Sequence, residues 1–167
     1  MLAYVFSTQF AILSIRLKQH NLNLDKTIGY QVKSVWHSIS KMYNSFAEEY
    51  NLTFTMALVL LSLDDNEGMP STQIGPSVGL EPRSLTRLLK KMEDEDLITK
   101  KPSKTDKRQV YIILTENGIE KKKIARERVT KFNKQIKESI SKEELEVFDS
   151  VLKRIKSIAN KNYEKEQ

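Results

Sequence analysis

The sequence contains no cysteine and only two histidines, His20 and His37. The absence of cysteine excludes disulfides, thiol catalysis and thiol-based redox sensing. A transition-metal site would have to rely on carboxylates, and the spacing of the two histidines matches no familiar metal-binding motif. We therefore predict no metal site and no cofactor, and we expect both histidines to be surface or packing residues.

Catalytic motifs and long hydrophobic runs are also missing. The sequence shows no nucleophile–base arrangement and no glycine-rich phosphate loop, so an enzyme is the least favoured class. Residues 1–20 are apolar, but Ser7, Gln9 and Arg16 interrupt them, which leaves the segment too short and too polar for a membrane span. It also lacks the basic start and cleavage site of a signal peptide. We expect an extra helix or an over-long gene start, with an interfacial membrane helix as the alternative, in a cytoplasmic protein.

Charge is plentiful. Charged residues make up 30% of the 167 residues and hydrophobic residues 39%, which is typical of a globular protein. The net charge is +6 and the isoelectric point is about 9.4. A basic balance favours an anionic partner only weakly, because the position of the charges matters more than their sum.

Apolar residues from Thr27 to Tyr50 recur at alternating intervals of three and four, which predicts one face of a long helix. We interpret this stripe as core or as a dimer seam. Thr53 is placed to cap a second helix over residues 54–63, and the polar and glycine residues at 64–68 mark its end. The stripe consists of Ile28, Val32, Val35, Trp36, Ile39, Met42, Tyr43, Phe46, Ala47 and Tyr50.

Two short helices follow, joined by a tight turn that contains glycine. We expect Ser71 to be the N-cap of the first, Pro76 to limit its length because its ring fits poorly inside a helix, and Gly79 to end it. Pro82 then opens the second helix at its first position, where its missing N–H costs nothing. This layout is typical of a helix-turn-helix.

The second helix of the pair is predicted to have an apolar and a basic face. Its inner face contains Leu85, Leu88, Leu89 and Met92. Its outer face contains Arg83, Ser84, Thr86, Arg87, Lys90 and Lys91. Arg83 and Arg87 stand four residues apart and share a face. An α-helix fits the major groove of DNA, where arginine pairs with guanine. A merely solvated basic face is the alternative, but the neighbouring motifs favour the DNA-binding interpretation.

After Ile98 the spacing of the apolar residues changes to that of β-strands, which predicts a β-hairpin with a long basic tip. The tip holds Lys100, Lys101, Lys104, Lys107 and Arg108 against the single acid Asp106. The narrow, negative minor groove attracts inserted arginine, so Arg108 is a candidate for a minor-groove or phosphate contact. Asp106 would hold its guanidinium in one geometry. The alternative is a solvent-exposed pair worth roughly 0–1 kcal/mol.

Two helices close the sequence. Thr115 is predicted to cap the first, and Ser141 and Glu144 form a capping box that starts the second. We expect the apolar side chains of the last helix to lie inside. They are Leu145, Phe148, Leu152, Ile155 and Ile158.

Asp106, Arg108, Leu114, Thr115 and Gly118 together resemble the wing signature of the MarR family of winged-helix transcription regulators. The resemblance extends from about Ile28 through the C-terminal helices. It implies a mainly α fold with a small β-hairpin wing, in which N- and C-terminal helices form a dimerisation domain. It further implies a homodimer that binds palindromic double-stranded DNA, often as a repressor, and releases it when a small molecule such as an aromatic acid binds.

The resemblance assigns the domains as residues 1–24 (N-terminal extension), 25–50 with 116–167 (helical dimerisation region) and 51–115 (winged-helix DNA-binding domain). It implies a DNA-binding surface made of Ser71, Thr72, Arg83, Ser84, Thr86, Arg87 and Lys90 on the helices and of Lys104, Asp106, Lys107 and Arg108 on the wing. Trp36, His37 and Tyr43 are candidates to line an effector pocket, with simple packing as the alternative for each. A winged-helix module for protein contact, without a DNA role, is the competing function.

The sequence departs from the family at two places. Asp96 stands where many members have glycine before the wing, and we expect the turn to survive because Asp tolerates left-handed backbone. Gly75 and Pro76 lie where many members have an unbroken helix, and they are expected to shift the first helix of the pair. Without cysteine the chain falls outside the thiol-based, peroxide-sensing branch, and its few histidines argue against the zinc-sensing branch.

Overall fold

A computed structural model describes residues 23–102 and 109–165. The chain divides into two compact units, one ending at Thr55 and the other beginning at Met56, and each is described by itself. The predictions for residues 1–22 and for the tip of the hairpin at 103–108 lie outside the described residues. Among those that are described, no helix combines the length and apolar character needed to cross a bilayer.

The first unit is dominated by one long helix. A single 3₁₀ turn, Leu24–Lys26, leads into helix α1, Ile28–Glu48. Thr27 is the N-cap, and its hydroxyl oxygen accepts a hydrogen bond from the backbone N–H of Tyr30 at 3.4 Å. The predicted long helix is thus confirmed. Its apolar stripe is largely exposed in the first half, where Val35 and Trp36 are 57% and 54% exposed.

Helix α2, Phe54–Ser62, is the second predicted helix and supplies much of the core. Met56, Val59 and Leu60 are fully buried, and Leu63 just beyond the helix end is 2% exposed. A helix that is apolar on nearly every side, as this one is, belongs in the interior. The capping role of Thr53 stays a prediction.

The helix pair has the predicted order, but its first member starts and continues differently. Helix α3 is Ser71–Val78 and helix α4 is Pro82–Asp94. The predicted N-cap was wrong: the cap position is Pro70, which offers no side-chain hydrogen bond, and Ser71 is already helical. Pro76 lies inside α3, and the helix continues for two residues beyond it. The carbonyl that loses its partner belongs to the exposed Thr72, where water can replace the missing N–H.

The turn between α3 and α4 depends on one glycine. Gly79 adopts the left-handed conformation with φ 70° and ψ 35° and closes α3, as the sequence predicted. Leu80 then donates its N–H to the carbonyl of Gly75 at 2.9 Å, which folds the turn back on the helix. Pro82 occupies the first position of α4, also as predicted.

The sheet has three antiparallel strands in the order β1-β3-β2. The predicted hairpin is confirmed as β2, Ile98–Pro102, and β3, Val110–Leu114, with Ile98 opposite Leu114. Strand β1, Met69–Pro70, was not predicted and pairs with β3 by placing Met69 opposite Ile112. Ile112 is fully buried, while its neighbours Tyr111 and Ile113 are half-buried, as expected where side chains alternate between the faces of a strand.

A cluster of short contacts joins the end of α4 to the next helix, α5, Glu116–Ser139. Asp96 has φ +53°, so the expected left-handed turn survives without glycine. The hydroxyl of Thr115 donates to the carbonyl of Asp96 at 2.6 Å and accepts from the N–H of Gly118 at 3.0 Å. A Cβ atom at position 118 would lie 1.9 Å from the carbonyl oxygen of Leu97, so only glycine fits. These contacts explain why the wing signature has threonine at position 115 and glycine at position 118.

The last helix, α6, is Lys142–Lys165. Its capping box is confirmed, since the N–H of Ser141 donates to the Glu144 carboxylate at 3.0 Å and the N–H of Glu144 donates to the Ser141 hydroxyl at 3.2 Å. The predicted burial of its apolar face was wrong for the single chain. Phe148 and Ile158 are 57% and 60% exposed, because the described part of one chain brings no apolar surface over them.

Candidate nucleic-acid interface

Helix α4 separates its side chains as the sequence predicted. Leu85, Leu89 and Met92 are buried, with Leu88 half-buried. The opposite face carries Arg83, Ser84, Thr86, Arg87, Lys90 and Lys91, all exposed. The steep division between apolar and basic sides fixes the helix on the core and turns its cations to solvent.

Three of these cations are available for a partner. Within residues 23–102 and 109–165, no acidic side chain forms an ion pair with Arg83, Arg87 or Lys90, whereas Lys91 lies 3.6 Å from the Glu95 carboxylate. Two arginines four residues apart point to the same side of a helix. The result is an exposed, uncompensated positive surface.

Hydroxyl groups lie beside this surface. Ser71 and Thr72 in the first turn of α3 and Thr86 on α4 line one cleft of about 610 Å³ between the two helices. The Thr86 hydroxyl donates to the carbonyl of Pro82 at 2.9 Å, so its oxygen remains able to accept a hydrogen bond. The structure thus brings together candidates on two helices, although Ser71 and Thr86 are fifteen residues apart in the sequence.

The base of the wing differs from the prediction. The ammonium of Lys100 lies 2.5 Å from the carboxylate of Glu93, so this lysine of the basic tip is compensated. Glu93 lies in the last turn of α4, so this contact joins the helix to β2. Lys101 is exposed. Lys104, Asp106, Lys107 and Arg108 lie outside the described residues, and the positioning of Arg108 by Asp106 stays a prediction.

One charged residue was missed by the sequence reasoning. Lys122 on α5 is 5% exposed, and its Nζ donates to the carbonyl of Leu63 at 2.5 Å and to the carboxylate of Asp65. The only available signal was its spacing from Gly118 and Ala125, which are also buried. Nearby, the backbone N–H groups of Glu67 and Asn66 donate to the Asp64 carboxylate and lower its pKa.

The effector candidates lie in the first unit and only two of them are brought together. The rings of Trp36 and Tyr43 both contact the ring of Phe54, at centroid distances of 5.6 and 4.9 Å. Burial raises the pKa of the Tyr43 phenol. His37 is exposed and, as the residue after Trp36, points to a different side of α1. Phe54 was not among the candidates, although it directly follows the Thr53 predicted to start a helix. No cluster of potential metal ligands occurs among the residues with described positions.

Comparison with known proteins gives consistent matches. The family described as transcriptional regulator SarA/Rot matches residues 41–124. The organic hydroperoxide resistance transcriptional regulator of Bacillus subtilis is 32% identical over 101 residues, which cover 60% of this chain and 69% of that protein. The regulator SarZ of Staphylococcus aureus is 36% identical over 80 residues, so the match spans 48% of this chain and about half of SarZ, 54%.

Two solved structures show the same fold. The transcription regulator MarR from Oenococcus oeni superposes with a TM-score of 0.67 at 25% identity, covering 78% of this chain and 99% of that one. The MepR–DNA complex of S. aureus gives a TM-score of 0.72 at 20% identity, covering 80% and 98%. The helix pair and its three-stranded sheet therefore form a winged helix-turn-helix.

Proposed function

The chain belongs to the SarA/Rot family of transcriptional regulators, and from this premise we propose that it binds palindromic operators as a homodimeric repressor that a small molecule releases. The expected resemblance to MarR regulators and the winged-helix fold class are confirmed. The chain is a DNA-binding transcription regulator by family. We propose in addition that the protein represses transcription, forms a dimer and releases DNA when an effector binds. We also propose that it has no enzymatic activity and that it lies in the cytoplasm, where bacterial DNA is found.

The observation that carries the proposal is the exposed basic face of α4. Arg83, Arg87 and Lys90 project from the second helix of a helix-turn-helix, and the described residues leave them without acidic partners. A helix of this kind enters the major groove, where arginine makes its most specific contact with guanine. The similarity to MepR, whose structure was solved with DNA, supports this orientation.

The remaining candidates have different tasks. Ser71 and Thr72 in the first turn of α3 suit phosphate contacts, which set the register without reading sequence. The Thr86 hydroxyl already donates its proton to the carbonyl of Pro82, so toward a base it acts as an acceptor, for example of a hydrogen bond from an amino group. Lys104, Lys107 and Arg108 would follow the backbone or the minor groove, with Asp106 orienting Arg108.

Exposed apolar side chains support dimerisation. Phe148, Val151 and Leu152 are 57%, 43% and 36% exposed on one helix, which is unusual for a monomeric protein. A second copy of the same chain can cover such a face, and a two-fold dimer would match a palindromic operator with half-sites about one helical turn apart, roughly 34 Å.

The proposed effector is an aromatic acid, which would use the ring surfaces of Trp36 and Tyr43. Trp36 is 54% exposed although its ring contacts Phe54, so aromatic surface is open to a ligand. His37 would have to contribute from another side of α1. Because the sequence has no cysteine, oxidation of a thiol cannot be the releasing signal.

Selection of bound sequences from random duplex DNA with the purified protein tests the proposal. A two-fold symmetric consensus is expected, and binding to it should weaken steeply as salt rises, through release of counterions. A protein that enriches no sequence and binds no duplex even at low salt would instead favour a winged-helix module for protein contact.

A further inference from the structure

Lys122 is the one charged residue that is buried in the part of the chain that the structure describes. Lysine is almost never buried without a partner, because moving an ammonium group out of water is unfavourable unless hydrogen bonds replace the lost hydration. Two partners do so here, the carbonyl of Leu63 and the carboxylate of Asp65. Both residues belong to the segment that connects α2 to β1. One side chain of α5 therefore binds this segment at two places, residues 63 and 65.

The first partner is a helix end. Leu63 follows the last residue of α2, and the final carbonyls of a helix have no partner within it. They also carry the negative end of the helix dipole, which a positive charge stabilises. No glycine follows α2 directly, since Leu63 is succeeded by Asp64 and Asp65. Lys122 therefore takes the place of a local cap and supplies it from a distant helix.

The second partner fixes the path toward the candidate DNA-binding surface. Beyond Asp65 the loop runs through Gly68 into β1, and α3 begins at the very next residue, Ser71, with no side-chain cap. The first turn of α3 is thus held by the pairing of β1 with β3 on one side and by the Lys122 anchor on the other. Ser71 and Thr72 lie in that turn.

We propose that Lys122 is a positioning residue for DNA binding: by anchoring residues 63–65 it sets the position of β1 and of the first turn of α3. The inference rests on the proposed function, because it assigns Lys122 to the operator complex through Ser71 and Thr72. An ion pair with one buried partner adds little net stability compared with an apolar replacement of similar size. The two hydrogen bonds of Lys122 do, however, fix residues 63–65 against α5. A positioning role accounts for a lysine here better than a purely stabilising one.

Lys122→Met tests this, with Lys123→Met as the matched control. Methionine fills a similar volume without charge, and Lys123 is the exposed neighbour, so both variants lose one positive charge. We expect operator affinity to fall about tenfold in Lys122→Met, as it would if the competent position of α3 were occupied about a tenth of the time. Lys123→Met should stay within about twofold of the wild type, which is the effect of one distant charge screened by salt.

Asp65→Asn gives a second test that changes a side chain outside the core, because the Asp65 side chain is 45% exposed. This variant raises the net positive charge, so a simple charge effect would tighten DNA binding. Loss of the anchor would weaken it. Glu67→Gln has the same change of charge on an exposed residue of the same loop and is expected to bind as tightly as the wild type or slightly tighter.

Hydrogen exchange distinguishes failure of this inference from failure of the proposed function. In Lys122→Met and Asp65→Asn, peptides covering 64–70 should exchange faster than in the wild type, without DNA present. Unchanged exchange, or operator affinity equal to that of the matched controls, overturns the positioning role. If the wild type binds no DNA, the proposed function fails, and the link from Lys122 to DNA binding fails with it, whatever the exchange rates.

Discussion

The ammonium of Lys100 lies 2.5 Å from the carboxylate of Glu93, and this contact joins the first strand of the wing to the last turn of α4. The two side chains are 36% and 39% exposed, so water screens the attraction and the pair contributes at most about 1 kcal/mol. The contact matters because it holds a positive charge between α4 and β2, the two elements that we propose face DNA.

Glu93→Gln should release that charge. We expect the free energy of unfolding to change by less than about 1 kcal/mol, because an exposed pair is weak. Affinity for DNA should become steeper in its dependence on salt, by about one unit of logarithmic slope if the freed Lys100 reaches a phosphate. Glu120→Gln, an exposed acid on α5, is the control. Equal salt slopes for the two variants would exclude Lys100 from the interface.

Gly118→Ala should destabilise the protein strongly. The added Cβ would stand 1.9 Å from the carbonyl oxygen of Leu97, so the backbone of α5 or of the turn must move, at a cost of about 2–4 kcal/mol. Gly29→Ala adds the same methyl group in α1 where no atom lies within 4 Å, and it should be neutral or stabilising by up to about 1 kcal/mol. Chemical denaturation measures both, and similar values would contradict the close approach.

Arg87→Ala should relax base preference. A bidentate arginine contributes about 1–3 kcal/mol of discrimination at one base pair, and selection from random DNA would lose information at that position.

Arg108→Ala should weaken binding to all sequences alike, because its expected partners are phosphates or the minor groove. Arg154→Ala on α6 controls for the loss of one charge. A uniform loss of affinity in Arg87→Ala would mean that Arg87 contacts only the backbone.

Phe148→Glu should weaken the proposed dimer. The ring is 57% exposed in the single chain, and if a second copy covers it, a carboxylate there would be buried without a partner. Sedimentation equilibrium should show dissociation at concentrations where the wild type is dimeric. Ser157→Glu adds the same charge on the opposite side of α6 and should remain dimeric. A monomeric wild type, or a dimer unaffected by Phe148→Glu, would locate the interface elsewhere.

Acid should loosen the start of α6. Hydrogen bonds from the hydroxyl and then from the N–H of Ser141 lower the pKa of Glu144 below its ordinary value of 4.5. Since the carboxyl binds its proton less readily when folded, its contribution is complete above that ordinary value and is lost as pH falls through the lower folded value. A carboxyl-carbon NMR titration should show the depressed midpoint, together with a lower protection factor against exchange at the Ser141 amide in acid. Glu144→Gln should remove this pH dependence, and a normal midpoint would contradict the capping box.

Local signals in the sequence were sufficient for much of the fold. The N-cap at Thr115, the glycine at 79, the proline at 82 and the capping box at Ser141 each act within one turn of chain, and each is confirmed. The basic face of α4 followed from the helical period alone. The left-handed backbone conformation of Asp96 was also predicted, because aspartate tolerates this conformation wherever it occurs.

Features that depend on distant partners were not predictable in the same way. Strand β1 has two residues and no pattern of its own, and it exists because β3 offers an edge. The sequence could not indicate which lysine among residues 121–123 turns inward, nor that Glu93 faces Lys100. The exposed Phe148 shows the converse limit, since an apolar face identifies a buried surface without saying which chain buries it.

The anchor at Lys122 also orders events during synthesis. Asp65 and Lys122 are 57 residues apart, so the segment leading into α3 stays untied while the intervening chain is still being made. Contacts of such sequence separation form late, because the loop between them must close first. The helix pair can emerge from the ribosome with its own turn intact and β1 can pair with β3, yet residues 63–65 stay unanchored until α5 forms. A chain truncated before residue 122 would therefore retain α3 and α4 but would lack the contacts of Lys122 that anchor residues 63–65.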